Sequence, residues 1–203
     1  MDSRTALQLS AWRREVAQLY AQVRVSVDPA EGHARWRAGR ESLFLHHPQS
    51  PLAAGDPLRR SGIPVWPYDP ALRWTLPLEP AGAPHQLAID SGADGSTSLS
   101  LAGWITLPDP FDARVAVWWL DQYAGGLFLP LRDGTAGSTS YGGGRYLLDT
   151  AKGADLGGAG QEMVVDLNFL YHPSCRYDDR WVCPLAPAQN IIEQSVEAGE
   201  RMP

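Results

Sequence analysis

The chain has little of three features that would indicate its class directly: cysteine, long apolar runs and excess positive charge. No run approaches the ~18 consecutive apolar residues of a membrane-spanning helix, which excludes that element. The net charge is −6 and no basic stripe compensates for it, which disfavours binding driven by phosphate neutralisation. We therefore expect neither a membrane nor a nucleic acid as partner.

The same shortage of features bears on the compartment. The N-terminal residues show no short basic region leading into an apolar core, so we expect no secretory signal and a cytoplasmic location. In that compartment the two cysteines, Cys175 and Cys183, are expected to be reduced. The chain does contain eight tryptophans, which we expect to fill a β core, with an aromatic binding surface as the alternative.

Two amphipathic helices are predicted at the start of the chain. Ser3 is a suitable N-cap for the first, and Asp28 followed by Pro29 is a strong start signal for the second. Apolar residues recur every three or four positions on one face of the first helix, at Leu9, Trp12, Val16, Leu19, Tyr20 and Val23. The corresponding stripe of the second helix is Trp36, Arg40, Leu43 and Phe44.

The remaining chain predicts an antiparallel β region. Residues 1–47 form the helical segment, residues 48–71 a proline-rich wrapping segment, and residues 72–203 a β domain with a proline-rich tail, together one compact unit. From Leu72 onward the period is two, and turn stretches such as SGADGSTS leave no room for helical crossovers. The predicted fold class is α+β: two N-terminal helices packed on a mainly antiparallel β-sandwich or partly closed β-barrel.

A glycine-rich stretch, STSYGGGRYLL at residues 138–148, is the first candidate for a site. The amides of Gly142, Gly143 and Gly144 could approach an anion, and Arg145 could bind a carboxylate or phosphate through two hydrogen bonds. The stretch lacks both the Walker pattern and a βαβ context. A glycine-rich bulge or strand entry is therefore the alternative.

Acidic and amide side chains form a second group of candidates. Asp133 ends a strand-like run, and Asp166 and Asn168 lie two apart in another, so the latter pair should share one face of a strand. If that face turns inward, these residues form a polar site. If it turns outward, they are solvent-exposed.

The two cysteines leave several interpretations open. His172, Cys175 and Cys183 could offer three ligands to zinc, but their spacing fits no standard pattern. A Cys175–Cys183 disulfide is sterically possible, and a catalytic thiolate at Cys175 would need a base such as His172. Two structural, unpaired thiols are the leading interpretation.

Taken together, FLPLRDGTAGSTSYGGGRYLL, DLNFLYHPSC, CPLAPAQN and EAGE resemble the bacterial and archaeal domain-of-unknown-function family numbered 1684. The resemblance runs from about residue 34 to residue 200 and is most specific in the last third of the chain. The chain departs from the family pattern where His172 replaces an asparagine and Leu131 replaces a phenylalanine. The family brings no assigned activity, so the resemblance implies a location for a site and no reaction.

These observations predict a pocket for a small, polar, anionic molecule, acting as an enzyme or as a binding protein, with no cofactor or metal. Arg145 would anchor the anion, Asp133 or Asp166 would act as acid or base, and an unbridged Cys175 would be a nucleophile. The other ligand-binding candidates are Tyr141, Gly143, Gly144, Tyr146, Asn168, Tyr171 and Asn190. A non-catalytic interaction module and a structural network that pins the C-terminal tail are the alternatives. The sequence predicts no oligomeric state.

A structural test separates these alternatives. Complete burial of Arg145 against an aspartate, without a cavity beside it, would favour the structural network. An open pocket with a perturbed carboxylate would favour an enzyme.

Overall fold

The computed structural model describes residues 1–90 and 95–203, so the first four residues of the predicted turn SGADGSTS lie outside the described part. Helix α1 spans Ser3–Arg24, α2 spans Pro29–His46 and the short α3 spans Leu58–Ser61. Among the described residues, no helix has the length and apolarity needed to cross a bilayer.

Both long helices begin at a carboxylate cap. Asp28 accepts a hydrogen bond from the backbone N–H two residues on, and Pro29 occupies the first helical position, as predicted. The predicted cap of α1 was wrong by one residue. Asp2 is the cap and accepts from the N–H of Thr5 at 2.8 Å, so Ser3 lies inside the helix.

The two helices pack closely at Gly39 of α2. A Cβ atom at this position would lie 2.7 Å from Cδ1 of Leu19 in α1, so the absence of a side chain lets Leu19 pack directly onto the backbone of α2. The predicted apolar faces are those that pack. Tyr20 and Trp36 lie in the main core, where the Trp36 ring N–H donates to the Tyr20 hydroxyl at 3.1 Å.

Nine strands follow the helices in the described part of the chain. They are β1 (Arg73–Pro77), β2 (Glu79–Pro80), β3 (Gln86–Asp90), β4 (Ser96–Leu107), β5 (Ala113–Leu120), β6 (Leu127–Leu131), β7 (Arg145–Asp149), β8 (Gly158–Ala159) and β9 (Glu162–Asp166). All of them lie in the region after Leu72 for which the period of two predicts strands.

The strands form two antiparallel sheets. One has the order β1–β9–β8, and the other has the order β2–β4–β5–β6–β7, with β3 paired to the other half of the long β4. The predicted α+β class with antiparallel sheets is therefore confirmed. Neither sheet closes on itself, so the partly closed barrel offered as one alternative is not formed.

The main core lies between the helices and the two sheets. Side chains of α1 and α2 contact residues from β4–β7 and from β9 in one cluster. The opposite face of the larger sheet carries a second cluster around Trp118, Phe128 and Tyr146, against which Cys183 packs.

The C-terminal tail threads between the wrapping segment and the β region. The Trp66 N–H donates to the carbonyl of Gly199, and the Arg201 N–H donates to the carbonyl of Pro64. On the other side, the Glu200 N–H donates to the carbonyl of Leu170 at 2.7 Å. The tail therefore becomes an interior strand-like segment whose carbonyls are available to buried side chains.

Candidate functional site

Arg145, the predicted anion anchor, is completely buried at the start of β7. Its Nη2 donates to Oδ2 of Asp133 at 2.7 Å, and the Trp66 ring lies 5.3 Å from the guanidinium carbon. Its remaining hydrogen bonds go to backbone carbonyls of the tail, at Val196, Ala198 and Glu200. Arg145 lines none of the five main cavities found in the described part of the chain.

Asp133 is held by the same arrangement. Its Oδ1 accepts from the N–H and hydroxyl of Thr135 and from the N–H of Val196. Burial alone would raise the pKa of Asp133, but the charge of Arg145 and these hydrogen bonds keep it below its usual value. An ionised, fully hydrogen-bonded carboxylate is a poor general acid or base, and this geometry matches the structural alternative.

Asp166 and Asn168 do not share a strand face, because β9 ends at Asp166 and a 3₁₀ turn begins at Leu167. The Asp166 side chain caps that turn by accepting from the N–H and side-chain amide of Asn168. Asn168 in turn holds both the N–H and the carbonyl of Asp69 in the wrapping segment. Burial raises the pKa of Asp166. Asp166 and Asn168 therefore hold the wrapping segment against the end of β9.

The remaining polar candidates outside the cysteine region are also tied to the fold. Asn190 accepts from the ring N–H of Trp118 and donates to the carbonyl of Ala116. The Gly144 N–H donates to the carbonyl of Tyr141 and closes a turn, which matches the strand-entry alternative for the glycines. Gly143 packs against Leu185, since a Cβ atom there would lie 2.9 Å from Cδ2 of that side chain.

Tyr146 and Tyr171, by contrast, line a cavity between the helices and β7. We call it the helix–sheet cavity; its volume is about 80 Å³. The helices contribute Trp12, Val16, Leu19, Tyr20, Trp36, Arg40 and Leu43. The β region contributes Tyr146, Asp149, Lys152, Ala154, Tyr171, His172, Pro173, Ser174 and Cys183.

Asp149 is the most unusual group of the helix–sheet cavity. It ends β7, its side chain is 3% exposed, and its Oδ2 lies 3.1 Å from Nζ of Lys152. Its Oδ1 is buried without a hydrogen-bond partner among the described residues. A buried carboxylate oxygen without a donor is costly, so this atom indicates a place for a donor from outside the chain. Lys152 is the only lysine of the sequence.

Arg40 crosses the cavity wall from α2. Its guanidinium lies 4.6 Å from the ring centres of Phe44 and Tyr171, and its Nε and Nη2 donate to the buried Glu200. No hydrogen bond to the described residues is made by its Nη1 or by the Tyr171 hydroxyl. Burial raises the pKa of Tyr171, so the hydroxyl stays protonated and can donate.

Glu200 connects this wall to the tail. It also accepts from the His172 N–H at 2.7 Å and from the Tyr177 hydroxyl at 3.2 Å. Burial would raise the pKa of Glu200, but the Arg40 charge and hydrogen bonds hold it below its usual value. Burial lowers the pKa of His172 to about 4, and the neutral ring accepts from the Tyr141 N–H through Nε2. The Tyr141 hydrogen bond thus occupies Nε2 of His172, and the described residues hold no cluster suited to a metal ion.

The cysteines are free, and they lie side by side. Cys183 lines the helix–sheet cavity and also a neighbouring groove of about 250 Å³, which we call the outer groove. The other residues of the outer groove are Leu9, Trp12, Arg13, Gln49, Lys152, Ser174, Trp181 and Val182. Cys175, the predicted nucleophile, lines neither, so Cys183 is the thiol that borders both spaces.

The sequence candidates thus occupy separate places. Two of them, Tyr146 and Tyr171, meet at the helix–sheet cavity, whereas Arg145, Asp166 and Asn190 fasten different segments. Sequence reasoning missed Asp149, Lys152 and Cys183 as cavity residues. One signal was present, because Asp149 closes a fully buried strand and the sole lysine follows within one turn.

The comparisons with known proteins agree with the resemblance. A family profile described as "Protein of unknown function (DUF1684)" matches residues 60–201. A solution NMR structure of an uncharacterized protein, from gene locus rrnAC0354 of Haloarcula marismortui, is similar in fold and 28% identical in sequence. That alignment covers 82% of this chain and 90% of the archaeal chain, with a TM-score of 0.58. The search of the curated proteins gave no match. The profile match spans well over half of the chain, which therefore belongs to the family of proteins of unknown function 1684.

Proposed function

We propose that the chain binds a small polar molecule in the helix–sheet cavity. The observation that carries the proposal concerns Asp149, which lines this cavity and whose buried Oδ1 has no hydrogen-bond partner among the described residues. Binding a group that donates a hydrogen bond would remove the cost of leaving that oxygen unpaired. This proposal moves the predicted site from Arg145 to the other end of β7.

The chemistry of the lining suggests what the ligand carries. Asp149 Oδ1 is an acceptor and calls for a hydroxyl or amino group on the ligand. Arg40 Nη1 and the Tyr171 hydroxyl are donors and call for a carbonyl or carboxylate oxygen. Arg13 and Lys152 of the outer groove would favour an anionic group at its outer end. A small hydroxy- or aminocarboxylate combines these features.

Size restricts the ligand further. The helix–sheet cavity, at about 80 Å³, is smaller than the ~150 Å³ that holds benzene, so it accepts only a few heavy atoms. The outer groove adds about 250 Å³ and shares Trp12, Lys152, Ser174 and Cys183 with the cavity. Together the two spaces reach the lower end of the ~300–1,000 Å³ common for ligand pockets.

The structural network remains the proposal for the residues outside the cavity. Arg145 with Asp133 would hold the tail, and Asp166 with Asn168 would hold the wrapping segment. A cytoplasmic location is retained as part of the proposal, since it keeps both thiols reduced.

Thermal denaturation in the presence of small hydroxy- and aminocarboxylates tests the proposal. A true ligand stabilises the native state by about 2.7 kcal/mol when present at ~100 times its Kd. We expect this stabilisation to be lost in Asp149→Asn, where an amide replaces one carboxylate oxygen. It should be kept in Asp179→Asn, which makes the same change at an exposed position.

Two outcomes would contradict the proposal. One is that no compound of this class shifts the unfolding midpoint of the wild type. The other is a shift of the same size in wild type and Asp149→Asn, which would place the ligand elsewhere.

A further inference from the structure

A second feature of the molecule is the contact between its two thiols. Cys175 lies in the 3₁₀ turn Ser174–Arg176, and a short loop leads from this turn to Cys183. The two side chains lie close enough for each to shift the pKa of the other, both are partly exposed, and no disulfide joins them.

The environment divides the two thiols into different roles. A hydrogen bond from the Cys175 thiol lowers the pKa of Cys183 to about 6, and the backbone N–H groups of Cys175 and Ser174 and the charge of Lys152 act in the same direction. Its hydrogen bond to Cys183, followed by burial, raises the pKa of Cys175. The lowered pKa favours the thiolate form of Cys183, whereas the raised pKa favours the protonated form of Cys175.

The outer groove gives Cys183 access to a ligand. Besides Cys183, it is lined by Trp12 and by Trp181, whose ring N–H is buried without a partner among the described residues. On its inner side the outer groove shares Trp12, Lys152, Ser174 and Cys183 with the helix–sheet cavity.

We propose that Cys183 and Cys175 form a thiol–disulfide exchange pair, in which Cys183 attacks a low-molecular-weight disulfide bound in the outer groove and Cys175 resolves the product. Arg13 and Lys152 line this groove, so the disulfide that fits it bears carboxylates. The proposal goes beyond ligand binding in the helix–sheet cavity, because it requires only the outer groove and the two thiols.

The exchange has two steps that balance. The Cys183 thiolate forms a bond to one substrate sulfur, the substrate S–S bond breaks, and the leaving thiolate takes a proton from solvent. Cys175 then loses its proton to solvent and attacks the sulfur of Cys183, which releases the second half of the substrate as a thiolate that is protonated in turn. Two electrons pass from the protein dithiol to the disulfide, giving one protein disulfide and two small thiols.

Intact-mass spectrometry after reaction with oxidised glutathione at pH 7 tests this assignment. Wild type should lose two mass units and carry no lasting adduct. Cys175→Ser should accumulate one glutathione adduct at Cys183, because the resolving thiol is absent. Cys183→Ser should react with glutathione disulfide at no more than ~1/10 of the wild-type rate, because Cys175 is protonated and lies away from the groove. Cys183→Ala serves as a second variant should the serine variant fail to fold.

The pH dependence of alkylation tests the pKa of Cys183 separately, because exposure of a thiol alone does not change the pH at which it ionises. Alkylation of the wild type by iodoacetamide should be half-maximal near pH 6, and the midpoint should rise towards ~8.5, the value of an ordinary thiol, in Cys175→Ala, which removes the donating thiol. An adduct formed equally fast in Cys175→Ser and Cys183→Ser would overturn the proposal. So would a wild-type midpoint at the ordinary value. The reaction needs no ligand in the helix–sheet cavity, so its failure is distinguishable from failure of the thermal screen.

Discussion

Arg145→Lys is the substitution that tests the structural account of the tail most directly. The guanidinium makes four hydrogen bonds in a fixed fork, one to Asp133 and three to tail carbonyls. A lysine keeps the positive charge beside Asp133, but its shorter reach from a single nitrogen loses at least two of the carbonyls. Each buried carbonyl left unpaired costs about 1–3 kcal/mol, so we expect a loss of about 2–6 kcal/mol.

Urea denaturation measures this loss. For a chain of this size the expected loss corresponds to a fall of about 1–2 M in the unfolding midpoint. Arg132→Lys is the matched control, since Arg132 is exposed directly after β6 and its change should stay within about 0.5 kcal/mol. Cleavage by a glutamate-specific protease at Glu197 should also accelerate in Arg145→Lys, because the loosened tail becomes accessible.

The reasoning would be refuted if Arg145→Lys and Arg132→Lys unfolded at the same urea concentration. That outcome would mean that the carbonyls of the tail do not depend on the guanidinium fork. A ligand-binding role for Arg145 would then be open again, since the residue would not be required to hold the fold.

Two further predictions concern pH and backbone geometry. Burial lowers the pKa of His33 and of His172 from 6.5 to about 4. The unfolded chain therefore binds protons in this pH range that the native chain does not. The free energy of unfolding should fall between pH 6.5 and pH 4 by about 3 kcal/mol per histidine. His172→Asn should reduce that slope in denaturation series. Gly144→Ala should cost about 1–3 kcal/mol in urea denaturation, because φ is +87° and the added Cβ would lie 2.7 Å from the Leu131 carbonyl oxygen.

Each of these has its own control. His46→Asn changes an exposed histidine and should leave the slope as it is; an unchanged slope in His172→Asn would refute the burial argument. Gly142→Ala has no positive φ and no neighbouring atom closer than 3.8 Å, so it should be nearly neutral. Equal stability of the two alanine variants would show that the backbone at Gly144 tolerates a side chain.

The local elements were largely predictable because their signals are local. Asp28 and Pro29 specify the start of α2 through a cap and a fixed φ, and the alternation of apolar residues predicted the strands of both sheets. The predicted strand containing Asp166 and Asn168 was wrong where a side chain can form hydrogen bonds that compete with continuation of the strand. Asp166 can bond to its own neighbours, which ends β9 and turns Asn168 out of the strand.

The candidate site was less predictable, because residues close in sequence were assumed to act together. Arg145 and Asp149 lie four apart on β7, yet the first faces the tail and the second the helix–sheet cavity. Cys175 and Cys183 are equivalent in the sequence. The electrostatic difference between them comes from backbone amides and Lys152, whose positions the chain pattern does not specify.

The sequence by itself determined the α+β class, the antiparallel pairing, the helix starts and the family, since caps, period and short turns act over a few residues. Only the tertiary structure decided which polar groups are paired. Hydrogen bonds such as that from Arg145 to the tail carbonyls join positions about fifty residues apart. Whether a buried oxygen such as Asp149 Oδ1 stays free depends on every neighbour that surrounds it, and those neighbours come from both helices, β7 and the loop that carries the cysteines.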